Sequence, residues 1–209
     1  MKSFNADNFI SLCAKLAKKD KDLNAVIKQH GYPPLWGRAP TFATLIHIIL
    51  EQQVSLASAK AAFLKLEAKI GHIIPEKLLQ LTDGEMKACY FSRQKTLYAR
   101  YLAMAIINNE FNIDELLLLN DNDIRSKMKQ LKGVGDWTTD VFMMMALHRC
   151  DCFPTGDIAL IKSIKEVKNL DAQTTKEGIL AIAEKWKPNR TIAAFILWHA
   201  YIKKRNLSF

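Results

Sequence analysis

No apolar run in this 209-residue sequence approaches the length needed to cross a bilayer. The strongest, Val141–Leu147 and Phe195–Trp198, fall far short of the ~20 residues a spanning helix requires. The opening Met1-Lys2-Ser3-Phe4-Asn5-Ala6-Asp7 lacks the apolar core of a secretory signal. Together these absences predict a soluble intracellular protein with no membrane partner. Cysteine is scarce: Cys13, Cys89, Cys150 and Cys152 contain no paired CxxC spacing, which argues against a zinc or iron–sulfur centre and for free thiols. Val, Ile and Thr nowhere alternate with polar residues over a long stretch, so sheet signals are weak. Low-complexity runs and internal repeats are missing too.

What the chain has is enough apolar material for a core and an excess of positive charge. Apolar residues make up 49% of it, and 30 Lys and Arg against 21 Asp and Glu give a net +9. Such a field attracts a polyanion, although a basic balance alone does not separate a nucleic-acid binder from an ordinary basic protein. Helix punctuation is plentiful. Asp20 or Asp22 can cap a segment that stops at Gly31, Thr41 precedes the apolar series Leu45, Ile48 and Ile49, Ser55 can open a helix ending at Gly71, and Ser92 another running to about Asn108. Further helical segments are predicted near 113–119, 121–130, 137–148, 158–168, 174–186 and 189–204. The irregular stretch from Tyr32 to Pro40 reads as a crossover. The expected fold is all-α: two helical lobes with a cleft between them, one over about 40–156 and one over about 1–35 plus 158–209, forming a single domain over 1–209.

The segment Leu131-Lys132-Gly133-Val134-Gly135-Asp136-Trp137-Thr138 carries the most chemical information. One helix ends near Gln130, two glycines permit a tight turn, and another helix starts near Asp136. The N–H groups of a helix's first turn have no intrahelical partner and form an anion site, and glycine lets a phosphate come close. Lys129 and Lys132 add charge beside it. Alone, such a turn is also an ordinary interhelical connection. Eighteen residues beyond Gly135 begins Phe153-Pro154-Thr155-Gly156-Asp157, with Asp157 opening an apolar-periodic helix through Leu160, Ile161, Ile164 and Val167. By itself that aspartate reads as an N-cap.

In this order and spacing, the two segments resemble the helix-hairpin-helix, Gly/Pro-rich loop and aspartate superfamily of DNA base-excision glycosylases. Leu131-x-Gly133-Val134-Gly135 is similar to its hairpin, and Pro154-x-x-Asp157 to its loop and catalytic aspartate. Phe42-x-x-Leu45-x-x-x-Ile49-x-x-Gln52-Gln53-Val54-Ser55 resembles its early helix and minor-groove wedge loop, and Ser92-Arg93-Gln94-Lys95 the segment entering its next long helix. Trp186-x-Pro188-x-Arg190-x-x-Ala193-x-x-x-x-Trp198 resembles the C-terminal signature of the 3-methyladenine DNA glycosylase II branch. The match runs over about residues 35–201.

The resemblance implies an enzyme that extrudes a damaged base from double-stranded DNA and hydrolyses its bond to deoxyribose, acting as a monomer and requiring no cofactor. Asp157 is the expected catalytic carboxylate, stabilising oxocarbenium-like charge on the sugar. Alkylated purines such as 3-methyladenine and 7-methylguanine carry positive charge, so aromatic faces suit their pocket. Trp137 and Trp198 are the expected base-pocket residues, with His199 and Tyr201 as further ones. Gln52, Gln53, Val54 and Ser55 in the wedge loop, and Lys129, Lys132, Gly133, Val134, Gly135 and Thr138 at the hairpin, are expected to bind DNA. The hairpin carbonyls of Lys129, Leu131 and Val134 are implied as a site for a monovalent or divalent cation bridging to phosphate. Superfamily members with lyase activity place a Schiff-base lysine two residues after the second hairpin glycine; here that residue is Trp137, implying base removal without strand cleavage. No cysteine follows Cys152, so the cluster of the iron–sulfur branch is missing. Asp136 stands where related sequences commonly carry a basic residue, and the segment before about residue 35 is too short for the β-domain some members carry, so only the helical core is expected. The location that follows is DNA-associated: cytoplasm or nucleoid, or nucleus in a eukaryote. The same residues leave three other readings open. They are excision of uracil, hypoxanthine or an oxidised base, a module that grips DNA without chemistry, and a basic helical scaffold.

Overall fold

The computed structural model of the chain describes residues 3–207. Among them all regular structure is helical, apart from one isolated antiparallel bridge between Ser3 and Arg149. In chain order the helices are α1 (Phe9–Lys19), α2 (Lys21–His30), α3 (Phe42–Glu51), α4 (Leu56–Ile70), α5 (Pro75–Leu79) and α6 (Asp83–Ala88). There follow α7 (Arg93–Ile107), a 3-10 turn at Asp114–Leu117, α8 (Asp121–Met128), α9 (Asp136–Met145), α10 (Ile158–Val167), α11 (Lys176–Glu184) and α12 (Arg190–Lys204). No helix among the described residues is long and apolar enough to cross a membrane. The chain divides into two compact units: Arg38–Phe142, and a second made of the two chain ends as far as Gly37 and from Met143 onward.

The end-built unit is organised around α12, against which α1, α2 and α10 pack. Every residue from Thr191 to Ala200 is buried. A helix apolar all round is stable only as a core element, and fully burying side chains such as Ile192, Phe195 and Leu197 contributes about 1.5–3 kcal/mol each. The unit is tied together by Asp20. Its carboxylate caps α2 through the N–H groups of Asp22 and Leu23, receives the Lys168 ammonium at 2.6 Å on both oxygens, and accepts the buried Trp186 indole N–H at 2.7 Å. Burial pushes the Asp20 carboxyl up, but Lys168 and Trp186 outweigh it and hold it below the usual carboxylate range. A depressed folded value means this contribution to stability is present above the unfolded value of about 3.9 and lost as pH falls through the folded one.

In the Arg38–Phe142 unit the central element is α3, buried at Phe42, Leu45, Ile46, Ile48, Ile49 and Leu50 and packed on α4 and α7. Thr41, Ser55 and Ser92 cap α3, α4 and α7 through their hydroxyls, as their positions in the sequence predict. Three helices were not foreseen. The N-cap of α1, Asn8, makes no side-chain capping bond, and α5 and α6 have five and six residues, too few to show a period. α6 nonetheless carries a readable signal, the reciprocal Thr82/Glu85 capping box. The segment expected near 113–119 is a 3-10 turn, and α9 stops at Met145 rather than 148. The four cysteines are buried and form no disulfide among the described residues, and burial pushes the Cys13 thiol up to about 12.

Candidate functional site

In the Arg38–Phe142 unit, α8 and α9 flank the two-glycine turn and are joined by an ion pair between Arg125 and Asp140. The Val134 N–H donates to the Leu131 carbonyl at 3.1 Å and closes the turn. The two glycines do different work. Gly133 has φ 83°, and a Cβ there would lie 2.2 Å from the Tyr98 ring, so both backbone conformation and space require glycine. Gly135 has nothing within 4 Å of a notional Cβ, so the turn is open in front of it. Lys132 is exposed, with its ammonium 4.5 Å from the Tyr101 ring centroid. Lys129 pairs with Asp136 at 2.7 Å. That pair is exposed on both sides and worth at most about 1 kcal/mol, so a phosphate can displace the carboxylate.

The loop expected to act as a wedge, residues 52–55, lies in the same unit. α3 has no basic residue in its last turn and ends on the buried Glu51. Arg38 answers that carboxylate with two hydrogen bonds, and Lys95, on α7, donates to the Leu50 carbonyl at 2.6 Å. Burial lowers the pKa of Lys95. The sequence offered a sign of Lys95: a helix end without glycine or a cation of its own needs an external donor. Beyond it Gln53 is exposed at φ 58°, followed by Val54, 46% exposed, and Ser55, whose hydroxyl caps α4. Gln52 differs from its neighbours. Its amide donates to the Gly133 carbonyl and to the Thr138 hydroxyl, each at 2.9 Å. Thr138 and Val134 are buried, so in this fold their side chains serve the hairpin's packing and the bond to Gln52. Trp137, in the first turn of α9, is half-buried.

In the end-built unit, Asp157 stands immediately before α10. Its Oδ1 accepts the Leu160 N–H at 2.8 Å and the Trp198 indole N–H at 3.1 Å. The loop before it is pinned from α12. The Thr191 hydroxyl donates to the Arg149 carbonyl at 2.6 Å and accepts the Cys152 N–H at 3.0 Å, while Arg190 makes a two-point contact with Asp151. Phe153 packs on Trp186, and the Asp157 N–H donates to the Pro154 carbonyl. In the sequence Arg190 stands out only within the C-terminal signature, and nothing in the pattern marks Thr191. Replacing Thr191 with Val keeps its shape while removing the buried hydroxyl that bonds both the Arg149 carbonyl and the Cys152 N–H, at a cost of about 1–3 kcal/mol. Thr191→Val is expected to lower the melting temperature by several degrees, read by circular dichroism; an unchanged transition would rule out this anchoring role. An open depression of about 410 Å³ adjoins Asp157, lined among others by Thr155, Ile158, Ile161 and Lys162. Of the other expected pocket residues, His199 is buried with its Nε2 3.1 Å from the His30 carbonyl. Tyr201 is half-buried beneath the Arg205 guanidinium, 3.9 Å from its ring centroid. Among the described residues no group of His, Cys, Asp or Glu side chains is placed to hold a metal ion.

One unit thus carries a two-glycine hairpin between helices and the other a loop-anchored aspartate. The chain belongs to the HhH-GPD superfamily of base excision DNA repair proteins, whose sequence profile matches residues 46–189. It is 27% identical over 207 residues to the DNA-3-methyladenine glycosylase of Bacillus subtilis, covering 93% of this chain and 68% of that one. It is also 27% identical over 186 residues to YfjP of the same organism, provisionally named a DNA-3-methyladenine glycosylase, covering 85% and 65%. The chain thus spans about two thirds of the length of these relatives. Among solved structures, the Schizosaccharomyces pombe 3-methyladenine DNA glycosylase in complex with abasic DNA superposes with a TM-score of 0.82. It is 26% identical, covering 90% of this chain and 95% of that one. A Bacillus halodurans DNA-3-methyladenine glycosidase gives a TM-score of 0.73 at 26% identity, covering 99% and 95%.

Proposed function

We propose that this chain is a monofunctional DNA base-excision glycosylase that hydrolyses the N-glycosidic bond of alkylated purines such as 3-methyladenine and 7-methylguanine. The observation that carries the reading is Asp157, a carboxylate fixed by two N–H donors and set in a loop anchored by Thr191 and Arg190. The named glycosylase relatives support it.

In this reading the Arg38–Phe142 unit grips double-stranded DNA. A phosphate meets the N–H groups at the start of α9 in front of Gly135, with Lys129 and Lys132 beside it. The exposed Gln53 and Val54 fill the space left by the extruded base. Trp137 supplies an aromatic face to the cationic base, whereas His199 and Tyr201 are engaged within their own unit, by the His30 carbonyl and the Arg205 guanidinium. As the bond from C1′ to the base nitrogen lengthens, its electron pair leaves with the base and the sugar becomes positive. Asp157 stabilises that charge, and water adds at C1′ and gives up one proton to the surrounding solvent, leaving an abasic site and the free base. Trp137 has no amine to form a Schiff base, so the strand stays intact. The enzyme works as a monomer, intracellularly on DNA, without a required cofactor. The carbonyls of Lys129, Leu131 and Val134 are hard oxygen donors suited to a monovalent or divalent cation at the phosphate, and the Gly133 carbonyl is already occupied by Gln52.

The test is mass spectrometry of bases released from methylated duplex DNA, together with gel analysis of the strand. The expected result is free 3-methyladenine or 7-methylguanine with the strand uncut. No release from alkylated, deaminated or oxidised DNA would leave a binding module instead. Affinity for duplex should fall steeply with salt, because each neutralised phosphate releases counterions; a flat dependence would rule out the phosphate grip.

A further inference from the structure

Trp198 was expected to line the base pocket, yet its geometry gives it another partner. It is only 8% exposed, its ring packs against Phe195 with centroids 5.8 Å apart, and its one polar atom points at Asp157. An indole N–H is a donor only and when buried needs an acceptor. Here the acceptor is the same oxygen that caps α10, so Asp157 Oδ1 receives one N–H from the backbone of α10 and another from the side chain of α12. Rotation of the carboxylate about its last bond carries Oδ1 away from its donor, and two donors from different helices converging on that oxygen oppose the rotation more strongly than one.

We infer that Trp198 is a positioning residue, holding Asp157 through its indole N–H so that the carboxylate faces the developing sugar cation without reorganising. This rests on the proposed glycosylase reading. Stacking on the damaged base is then a lesser part of what Trp198 does, since most of its ring is already covered. A hydrogen bond to a charged group is worth enough that its loss changes the strength of the carboxylate–cation interaction by about ten- to a hundredfold.

The experiment uses duplexes that contain no base at the lesion position, which removes stacking from the comparison. One carries a pyrrolidine abasic analogue, cationic like the sugar in the transition state; the other carries a neutral tetrahydrofuran. The measured quantity is the ratio of their dissociation constants. Wild type is expected to prefer the cationic duplex. Trp198→Phe, which keeps an aromatic ring but lacks the donor, is expected to lose about ten- to a hundredfold of that preference while binding the neutral duplex normally; normal neutral binding also shows that it folds. Trp198→Tyr, with its hydroxyl beyond the position of the indole N–H, should behave alike and serves if the Phe variant does not fold. In an Asp157→Asn background, replacing Trp198 should change nothing further, because it acts through the lost charge. A full preference retained by Trp198→Phe overturns the positioning role while leaving the glycosylase reading intact. No preference in wild type overturns Asp157 as the charge-stabilising group and this inference with it.

Discussion

Asp157→Asn is expected to slow base release by about a thousandfold, the scale on which removing one preorganised electrostatic group acts, while leaving duplex affinity within about threefold of wild type. The substitution isolates charge because Asp157 has two jobs. Its Oδ1 caps α10 through the Leu160 N–H, and Asn caps a helix as well as Asp does. The amide oxygen also remains an acceptor for the Trp198 indole. What disappears is the negative charge beside the sugar. Asp157→Ala removes both jobs and should add a loss of about 1 kcal/mol from the missing cap, or roughly 2–4 °C in melting temperature for a chain of this size. Single-turnover release from methylated DNA, with anisotropy on an abasic duplex, separates the two contributions. Excision by the Asn variant within tenfold of wild type would remove Asp157 from the mechanism.

Gly133→Ala should be the most damaging small substitution in the hairpin, and Gly135→Ala close to harmless for folding. At Gly133 an added methyl needs a left-handed backbone, at about 1–2 kcal/mol. It also enters the Tyr98 ring, whose nearest atoms would be 2.2 Å away. Those atoms belong to the root of the ring, so Tyr98 has to swing out, and its hydroxyl is held by the Gln94 amide. Overpacking of this kind adds about 1–3 kcal/mol, for a total near 2–5 kcal/mol and a fall in melting temperature of roughly 5–15 °C. At Gly135 the methyl meets nothing in the protein. It stands instead where the phosphate approaches, so Gly135→Ala should melt within about 2 °C of wild type yet bind duplex roughly tenfold more weakly, the scale of one lost charge-assisted hydrogen bond. Equal melting temperatures for the two variants would contradict the division of labour between the glycines.

Much of this was legible in the sequence because helix signals are local. Thr41, Ser55 and Ser92 announce their helices by residue type and make the capping bonds expected of them, and of the two candidates Asp20 and Asp22 it is Asp20 that caps α2. The hairpin and Asp157 were readable from glycines and an aspartate at fixed offsets. What escaped was determined by contacts across long separations in the chain. Gln52 and Gln53 are indistinguishable as letters, yet one is tied to a residue 81 positions away and the other is exposed. Thr191 looks like any small polar residue in an apolar helix, and only the fold brings its hydroxyl to Arg149 and Cys152. His199, beside Trp198 in the chain, points into helix packing because neighbours on a helix face different directions.

The Gln52 amide gives the Arg38–Phe142 unit a mechanical property. Driving a side chain into a base stack pushes back on the loop that carries it, and a loop with its own freedom yields before the stack does. Under the proposed function the recoil would pass from Gln52 into the Gly133 carbonyl and the Thr138 hydroxyl, and so into the turn proposed to grip the backbone of the same DNA. Pressing on the duplex would then load its own anchor, with both forces carried through the same two hydrogen bonds.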